Sequence, residues 1–393
     1  MRILFVANRV PYPPFRGDKL KIYNLAKRLT VNHELHIITF AESEEDFQYV
    51  SELQKIFNQV HIVRLPKWLS YLNCLIAIFS NTPLQVAYFR NREMHRVIRS
   101  FLAKTEVDII HTQHIRMAQF TSDINIPKII DLPDAFSLYW KRRILNQTNP
   151  FFRIFEKIEY KRLYKAEAII TEKFDLGLVC SKEDLNYMRN EHGTKNIDLL
   201  RNGVDLDTFN TEGHDYTIND LLLFTGNMDY APNIDAVVYF VKEVFPLIIA
   251  KHSNIKFRIA GQRPVKQVMD LKSENIEVTG FVPNLKTMYQ EAALVVSPLR
   301  FGAGTQNKVL EAMAMGIPVV SGNIGFEGLE INNGEGVFLE TTASAFGNKV
   351  IELLESEDLR RTTGTRGAAI ALEKYSWDKI AVDLENYFIR YSK

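Results

Sequence analysis

The sequence predicts an α/β protein with two domains, each built as a doubly wound parallel sheet that helices cover on both faces. Short apolar segments that fit buried strands alternate with segments whose apolar residues recur at helical spacing, and this alternation runs through the chain twice. The 393 residues also exceed what a single hydrophobic core usually supports. A turn at Asn202-Gly203, followed by a polar run over 210–215, predicts the boundary between the domains.

The first domain is predicted over residues 1–198, where strand and helix patterns follow one another in chain order. The predicted strands are Arg2–Ala7, Glu34–Phe40, Val60–Leu65, Ile109–His111, Lys128–Asp131 and Asp175–Ser181. The predicted helices are Lys19–Leu29, Ser43–Phe57, Asn91–Leu102, Ile115–Ser122, two within Leu138–Glu167 that break near Pro150, and Lys182–Arg189. Such sheets bind ligands beyond the carboxyl ends of their strands, so the loops 8–18, 111–116 and 131–137 are expected on one rim.

The second domain is predicted over residues 199–374, and residues 375–393 are assigned to a last helix. The predicted strands are Leu221–Thr225, Lys256–Ala260, Ile276–Thr279, Val295–Pro298, Val319–Val320 and Gly336–Leu339. The predicted helices are Ile234–His252, Leu285–Ala292, Lys308–Met315, Ala343–Leu354 and Glu357–Glu373. A glycine loop is expected at Gly322–Leu329, at the same end of the sheet as the loop that opens at Gly226.

The segment from Phe301 to Ser321 is typical of an anion site. Gly302 and Gly304 leave backbone amides open, and Thr305 or Asn307 is expected to cap the helix that follows. Gly316 ends that helix and the proline after it prevents continuation. A glycine loop before a helix N-terminus points amides and the positive end of the helix dipole at one spot.

Charged side chains add to this segment. Lys308 and Arg300 supply fixed positive charge, which favours a phosphate. Glu311, one turn into the helix, suits hydrogen bonds from neighbouring hydroxyl groups, although an exposed helix residue is the plain alternative. A ligand that carries a phosphate beside a group with several hydroxyls is typical of a nucleotide sugar.

The run from Lys308 to Val320, Lys-Val-Leu-Glu-Ala-Met-Ala-Met-Gly-Ile-Pro-Val-Val, resembles the donor-binding segment of retaining glycosyltransferases of family four. Within that family it is most similar to sugar transferases of bacterial exopolysaccharide clusters. The resemblance implies the GT-B fold: two Rossmann-like domains face an interdomain cleft, and the C-terminal helix, here within 375–393, packs back on the first domain. It also implies a donor of the UDP-sugar or GDP-sugar type.

The resemblance transfers donor-binding roles to a set of positions in both domains. They are Gly17, Gly226, Asn227, Gly302, Ala303, Gly304, Thr305, Lys308 and Glu311. Two departures stand out. Relatives carry an arginine and a lysine where this chain has Asn227 and Asn233, and they carry a first glutamate where this chain has Ala303. Arg300 and Lys308 are the expected replacements for the missing cations, and backbone amides near 303 are expected to replace the glutamate.

Acceptor-binding roles are expected for Arg16, Asp18 and His114 on the rim of the first domain. The loop with Arg16 and Asp18 resembles the family's N-terminal glycine loop, and a plain strand–helix connector is the alternative. The rim histidine of the family falls on Pro133, so Asp134 beside it is the predicted catalytic residue, together with Arg300 and Lys308. Asp134 as the cap of the next helix is equally open.

Composition excludes some functions. A net charge of +1 disfavours bulk nucleic-acid binding, and two cysteines outside any metal-type spacing predict no structural zinc. No cofactor and no metal are expected, and Asp205-Leu-Asp207 is interpreted as part of a turn. No stretch of about 20 apolar residues occurs. The apolar segment 68–79 and the aromatic, basic segment 138–167 favour contact with an anionic membrane surface. The alternative is that both form core helices with solvated basic faces.

These patterns predict a retaining, metal-independent transferase that moves a hexose from a nucleoside diphosphate sugar to a saccharide or lipid-linked saccharide. It would work in the cytoplasm, at the inner face of the membrane if it binds lipid. The alternatives are a non-catalytic nucleotide-sugar-binding partner of another transferase and a nucleotide-sugar epimerase of the same fold. A Rossmann dehydrogenase is disfavoured, because no Gly-x-Gly-x-x-Gly follows the first strand.

Overall fold

The computed structural model describes residues 1–14, 17–147, 149–302 and 304–392. It divides into two compact units. Unit 1 comprises Met1–Asn202 with Trp377–Lys393, and unit 2 comprises Gly203–Ser376. Among the described residues, no helix combines the length and the apolar character that crossing a membrane requires.

Unit 1 contains a seven-stranded sheet in which all neighbouring strands run parallel. The strands are β1 (Arg2–Ala7), β2 (Glu34–Ala41), β3 (Gln59–Arg64), β4 (Ile109–Gln113), β5 (Lys128–Leu132), β6 (Leu176–Val179) and β7 (Ile197–Leu199). Their order across the sheet is β3-β2-β1-β4-β5-β6-β7. The strand predicted at Asp175–Ser181 is present as β6, but the prediction that it is the last strand of this domain is wrong, because β7 follows it. The edge strand β7 has only three residues, too few to produce a recognisable pattern.

Helices surround this sheet. They are α1 (Gly17–Leu29), α2 (Val50–Leu53), α3 (Lys67–Ala77), α4 (Leu84–Tyr88), α5 (Arg92–Leu102), α6 (Ile115–Thr121), α7 (Phe136–Asn146), α8 (Pro150–Glu172), α9 (Lys182–His192) and, at the end of the chain, α18 (Trp377–Tyr391). The break near Pro150 is confirmed, because Asn149 caps α8 and the proline occupies its first turn. The single helix predicted over Ser43–Phe57 is wrong: a 3₁₀ helix over Glu44–Tyr49 precedes the short α2.

The terminal helix α18 belongs to the core of unit 1, as the GT-B resemblance implied. Its buried residues Trp377, Leu384 and Phe388 pack in one cluster with residues of β1. The rings of Phe5 and Phe388 meet edge to face with centroids 6.4 Å apart. Residues nearly 400 positions apart in sequence therefore share one hydrophobic core.

The Leu384→Ala variant is expected to lower the free energy of unfolding of unit 1 by about 2–5 kcal/mol, because Leu384 is fully buried and a cavity would remain. All three tryptophans, at 68, 140 and 377, lie in unit 1, so tryptophan fluorescence during urea unfolding reports on this unit. The matched control is Ile389→Ala, five residues later on the exposed side of α18. Equal effects of the two variants would contradict the assigned packing.

Unit 2 contains a six-stranded sheet that is also parallel throughout. The strands are β8 (Leu221–Thr225), β9 (Lys256–Ala260), β10 (Ile276–Gly280), β11 (Leu294–Ser297), β12 (Val319–Ser321) and β13 (Val337–Leu339), in the order β10-β9-β8-β11-β12-β13. The helices are α10 (Ala231–Tyr239), α11 (Phe245–Ile249), α12 (Lys266–Met269), α13 (Leu285–Gln290), α14 (Asn307–Ala314), α15 (Asn323–Glu327), α16 (Ala343–Glu355) and α17 (Glu357–Lys374).

Two sequence predictions for unit 2 are corrected. The helix expected over Ile234–His252 is interrupted by a π-helical turn at Phe240–Val244. The turn lies just before the first turn of α11, where a proline lacks the backbone N–H that a regular helix would use. The glycine loop expected at Gly322–Leu329 contains the short helix α15. The remaining strand–helix alternation agrees, and the predicted fold of two doubly wound parallel sheets is confirmed.

Each sheet has one point where the strand order reverses. In unit 1 it lies between β1 and β4, and in unit 2 between β8 and β11. Loops that leave the carboxyl ends of such neighbouring strands run in opposite directions and leave a crevice, where doubly wound folds bind ligands. The loops after β8 and β11 therefore border the crevice of unit 2 in which a ligand site is expected.

Candidate functional site

The loop after β8 begins with a glycine that no other residue can replace without movement. Gly226 has φ +154°, and a Cβ built on it would lie 2.6 Å from Nδ2 of Asn233. Gly261, after β9, has φ +157°, and its Cβ would lie 1.7 Å from the carbonyl oxygen of Gly226. The two backbones touch directly, and this contact holds the loop after β8 against the loop after β9.

Two side-chain amide groups, of Asn233 and Gln262, brace this loop. Nδ2 of Asn233, on α10, donates to the carbonyl oxygen of Asn227 at 3.0 Å, and Nε2 of Gln262 donates to Oδ1 of Asn227 at 2.9 Å. Asn233 is buried. Because its Nδ2 is engaged by the loop, its Oδ1 is turned toward another partner, the side chain of Lys308.

Lys308 is the decisive residue of this site. Its Nζ donates to Oδ1 of Asn233 at 3.1 Å and lies 4.9 Å from the centre of the Phe224 ring. Only 8% of Lys308 is exposed. Burial lowers the pKa of its ammonium group to about 8, although the charge of Glu311 raises it. In the described part of the chain no carboxylate forms an ion pair with it, so a buried cation is left for an anionic ligand.

Glu311 follows one turn later on α14. Its Oε2 accepts a hydrogen bond from the Tyr289 hydroxyl at 2.7 Å, and the same hydroxyl lies 2.8 Å from Oγ1 of Thr225. Burial raises the pKa of Glu311, while the Tyr289 hydroxyl and Lys308 lower it. Oε1 accepts no hydrogen bond from the described residues, so one carboxylate oxygen is held and the other is open to a ligand hydroxyl. We call Asn233, Tyr289, Lys308 and Glu311 the Lys308 site.

The N-terminus of α14 differs from the sequence prediction. Gln306 is the N-cap residue and its side chain makes no capping bond, so neither Thr305 nor Asn307 is the cap. Oγ1 of Thr305 donates instead to the carbonyl oxygen of Gly328 at 3.3 Å. Gly302 and Gly304 do have positive φ angles, +145° and +73°, which a glycine-specific loop requires. Ala303 lies outside the described residues.

Arg300 does not join the Lys308 site. Its Nε donates to Oδ2 of Asp235 at 2.8 Å, its NH2 group bonds the other carboxylate oxygen, and its guanidinium lies 4.8 Å from the centre of the Tyr239 ring. Asn233 and Asp235 are two positions apart on α10 and so point to different sides of that helix. Asp235 compensates the charge of Arg300, whose role toward a phosphate stays a prediction.

In unit 1 the predicted residues gather at the strand reversal. Asp18 forms an ion pair with the buried Arg9, Nη1 to Oδ2 3.2 Å, and its carbonyl oxygen accepts from Nε2 of Gln113 at 2.6 Å. Gly17 is exposed at the start of α1. These contacts connect the loop after β1 with the end of β4. Arg16 lies outside the described residues.

His114 has a backbone that few residues other than glycine adopt, with φ +77°. Its Nδ1 accepts from the backbone amide of Arg116 at 3.3 Å and so caps α6, and its ring packs on Phe136 with centroids 4.5 Å apart. Burial lowers its pKa well below the ordinary value, so the ring is neutral at physiological pH. A structural role explains these contacts, and acceptor binding by His114 stays a prediction.

Asp134 is not the cap of α7, because Ala135 occupies that position. Polar atoms of Asp134, Cys180 and Asp184 all lie within 4.8 Å of one another. Burial, and then the charge of Asp184, raise the pKa of Asp134 to about 7. Asp131, in β5, differs from Asp134, because its carboxylate lies buried against Nζ of Lys21 at 2.8 Å.

Sequence reasoning missed Tyr289 and Asn8. Tyr289 is one apolar-face residue of a short helix, and nothing in its surroundings signals a contact with Glu311. Asn8 is fully buried directly after β1, and neither polar atom of its side chain bonds to the described residues. Its position after the first strand of a doubly wound sheet was the one available signal.

Residues 219–356 match the family model Glycosyl transferases group 1. That range includes the Gly226 loop and the whole Lys308 site. The chain carries a glycosyl transferases group 1 domain.

Relatives and solved structures are similar to nearly the whole chain. The chain is 22% identical over 391 residues to an uncharacterized protein in the cps region of Klebsiella pneumoniae, covering 96% of this chain and 97% of that one. It is similar in structure to sucrose-phosphate synthase from Thermosynechococcus elongatus, with TM-score 0.74 and 15% identity over 99% of both chains. It is also similar to Anabaena HepE in complex with UDP, with TM-score 0.68 and 16% identity over 99% and 100% of the chains. These structural likenesses show the GT-B fold.

Proposed function

We propose that the protein transfers a hexose from a nucleoside diphosphate sugar to a hydroxyl of a saccharide or lipid-linked saccharide, with retention and without a metal ion. The observation that carries the proposal is the buried Lys308 ammonium, which is hydrogen-bonded to amide oxygens and ion-paired with no carboxylate of the described residues. A cation held in this way beside a glycine loop suits a diphosphate group.

The diphosphate is the leaving group of the transfer. As the bond between the sugar carbon and the diphosphate oxygen breaks, negative charge develops on that oxygen. An ammonium group in a site largely shielded from water stabilises this charge more strongly than the same group in water would. Lys308 thus takes the catalytic role, and the amides at the start of α14 assist it.

Glu311 is proposed to hold the nucleotide ribose. Its Oε2 is fixed by Tyr289, so its Oε1 is positioned to accept a hydrogen bond from a ribose hydroxyl. Retention rests on the resemblance to family four, in which the leaving phosphate serves as the base. In unit 1, Asp134 is the proposed group for the acceptor hydroxyl, because a carboxyl group with a pKa of about 7 can exchange a proton at neutral pH.

The comparisons support the substrate class. The HepE structure contains UDP, which favours UDP among the donor nucleotides. The Klebsiella relative is described as a protein in the cps region, which supports a role in the synthesis of a surface or exported polysaccharide.

The proposal is tested by thermal unfolding with UDP, GDP, ADP and dTDP, each in EDTA. One nucleotide, at about 100 times its dissociation constant, is expected to add about 2.7 kcal/mol of apparent stability. The Glu311→Ala variant should lose this shift, and the control Glu274→Ala, an exposed glutamate of unit 2, should keep it. No shift with any nucleotide would overturn the proposal.

Turnover separates the proposed activity from its rivals. With the matching nucleotide sugar and a saccharide acceptor, a transferase releases free nucleoside diphosphate in proportion to product. Binding without release would identify a non-catalytic partner of another transferase. A changed sugar that remains attached to its nucleotide would identify an epimerase.

A further inference from the structure

The helix α3 in unit 1 exposes its large apolar side chains and buries small ones, the opposite of an ordinary surface helix. Its buried positions are the small residues Ser70 and Ala77. The large apolar side chains of α3 and of the turn after it face solvent: Trp68, Tyr71, Leu72, Leu75, Ile76, Ile78 and Phe79. Phe79 is 94% exposed and Trp68 is 70% exposed. Surface helices normally bury their apolar stripe against the core, whereas this stripe forms an exposed apolar surface.

The N-terminal half of α8 presents a second stripe of the same kind. Phe151, Ile154, Phe155 and Ile158 follow the i, i+3, i+4, i+7 spacing of one helix face, and all four are exposed. The opposite side of this helix buries Glu156 instead, whose Oε1 accepts from Arg143. The core-helix alternative considered for both segments is wrong for these faces, because their apolar residues lie outside the core.

The two stripes lie close together. The side chain of Arg162, one turn beyond Ile158 on α8, donates to the carbonyl oxygen of Ile78 at 2.7 Å. Glu159 accepts from the backbone amide of Leu84 at 2.9 Å, which holds the segment after α3 on α8. The C-terminal end of α3 therefore packs beside the exposed stripe of α8. We call the exposed residues of Trp68–Phe79 and Phe151–Ile158 the apolar face.

A ridge of positive charge borders the apolar face. Arg153, Lys157, Lys161 and Lys165 recur every four residues on α8, beside the apolar stripe, and all four are exposed. Across the described ranges of the chain, no carboxylate pairs with any of them. Elsewhere in unit 1 some exposed cations are paired, as Lys141 is with Glu191 at 3.1 Å. The ridge thus carries uncompensated positive charge.

We propose that the apolar face docks unit 1 onto a bilayer of anionic phospholipids. In such a bilayer the apolar acyl chains lie directly beneath the negatively charged headgroups. The apolar face could insert its aromatic and aliphatic side chains among the acyl chains while the neighbouring basic ridge contacts the headgroups. Both helices lie in the interface, because neither is long and apolar enough to cross the membrane. This inference concerns unit 1 alone and does not depend on the proposed transfer reaction.

The test is co-sedimentation of the full-length protein with vesicles. Vesicles of phosphatidylglycerol and phosphatidylcholine in equal parts should bind the protein, and pure phosphatidylcholine vesicles should bind it at least tenfold more weakly. The Trp68→Ser/Phe79→Ser variant should lose binding to both. The control Val31→Ser/Ile389→Ser, which changes two exposed apolar residues of unit 1 outside the apolar face, should bind normally.

The charge of the ridge is tested separately. Lys157→Gln/Lys161→Gln should weaken binding to anionic vesicles on the order of tenfold, in line with the contribution of two lysines near such a surface. The control Lys104→Gln/Lys195→Gln removes two exposed lysines of unit 1 outside the ridge and should have little effect. Circular dichroism and melting temperature confirm that each variant is folded.

Fluorescence identifies the residue that enters the bilayer. Trp68 is exposed, Trp377 is buried in the core, and Trp140 is half-buried beside Phe155 with ring centroids 6.2 Å apart. Vesicle binding should therefore shift the emission to the blue, and Trp68→Phe should remove most of the shift. The proposal is overturned if anionic vesicles fail to bind the protein. It is also overturned if the protein forms a dimer that Trp68→Ser/Phe79→Ser dissociates, since the apolar face would then join two copies of the chain.

Discussion

The Lys308→Met variant is expected to lower kcat/KM for sugar transfer by about a hundredfold to a thousandfold, the effect of removing one preorganised donor from a developing negative charge. Methionine is also unbranched and fills most of the same space, so the fold should remain. Burial lowers the pKa of Lys308, which means that the charged ammonium is less favourable in the folded than in the unfolded chain at neutral pH. The variant should therefore be as stable as the parent protein, or more stable.

Lys308→Arg and the pH profile distinguish charge from shape. With a pKa of about 8, the ammonium of the ligand-free protein is charged at pH 7 and mostly neutral at pH 9, so nucleotide affinity should fall about tenfold between these values. Arginine stays charged, and its variant should show no such fall. An unchanged kcat/KM in Lys308→Met, with the nucleotide shift intact, would remove Lys308 from the mechanism.

The Asp131→Ala variant is expected to lower the free energy of unfolding of unit 1 by about 3–5 kcal/mol, because it leaves a buried charge without its partner. Lys21 and Asp131 are exposed by only 2% and 1% at their side chains, with Nζ to Oδ1 at 2.8 Å. In the variant, the Lys21 ammonium would keep only its hydrogen bond to the carbonyl oxygen of Leu200, at 3.1 Å. Urea unfolding followed by tryptophan fluorescence measures the loss in this unit.

Two further variants show whether burial of the charge is the cause. Lys21→Met/Asp131→Leu removes both charges and should recover most of the lost stability, because a buried ion pair and an apolar pair of similar volume are often equivalent. Lys55→Ala breaks the exposed pair Lys55–Glu52 of the same unit, at 2.7 Å, and should change stability little. If Asp131→Ala were as mild as Lys55→Ala, the buried pair would not stabilise unit 1.

The fold could be predicted from the sequence because its signals are local. A buried parallel strand such as β1 is a continuous apolar run, and the helix that follows it repeats its apolar residues at helical spacing. Gly316, with φ +74°, ends α14 as its position before Pro318 indicated. The sequence failed where the signal is short or is overridden by packing, as in the three-residue strand β7 and the π-helical turn after Tyr239.

Single residues of the Lys308 site could be predicted from the sequence, but the contacts between them could not. The pattern around Lys308 and Glu311 was sufficient to choose them, but their partners come from other parts of the chain. Asn233 lies 75 positions before Lys308, and no spacing rule connects the two. The same limit applies to Arg300: its charge suggested a phosphate, and only the structure reveals that Asp235 compensates it.

The position of α18 in the core of unit 1 has a consequence for synthesis on the ribosome. Residues 203–376 form unit 2 from one continuous stretch, so this unit can fold as soon as that stretch has emerged. The first 202 residues are made earlier, yet their core includes Trp377, Leu384 and Phe388. The half of the protein that is translated first is therefore the half that completes its folding last, and until then its unfilled core is exposed to chaperones and proteases.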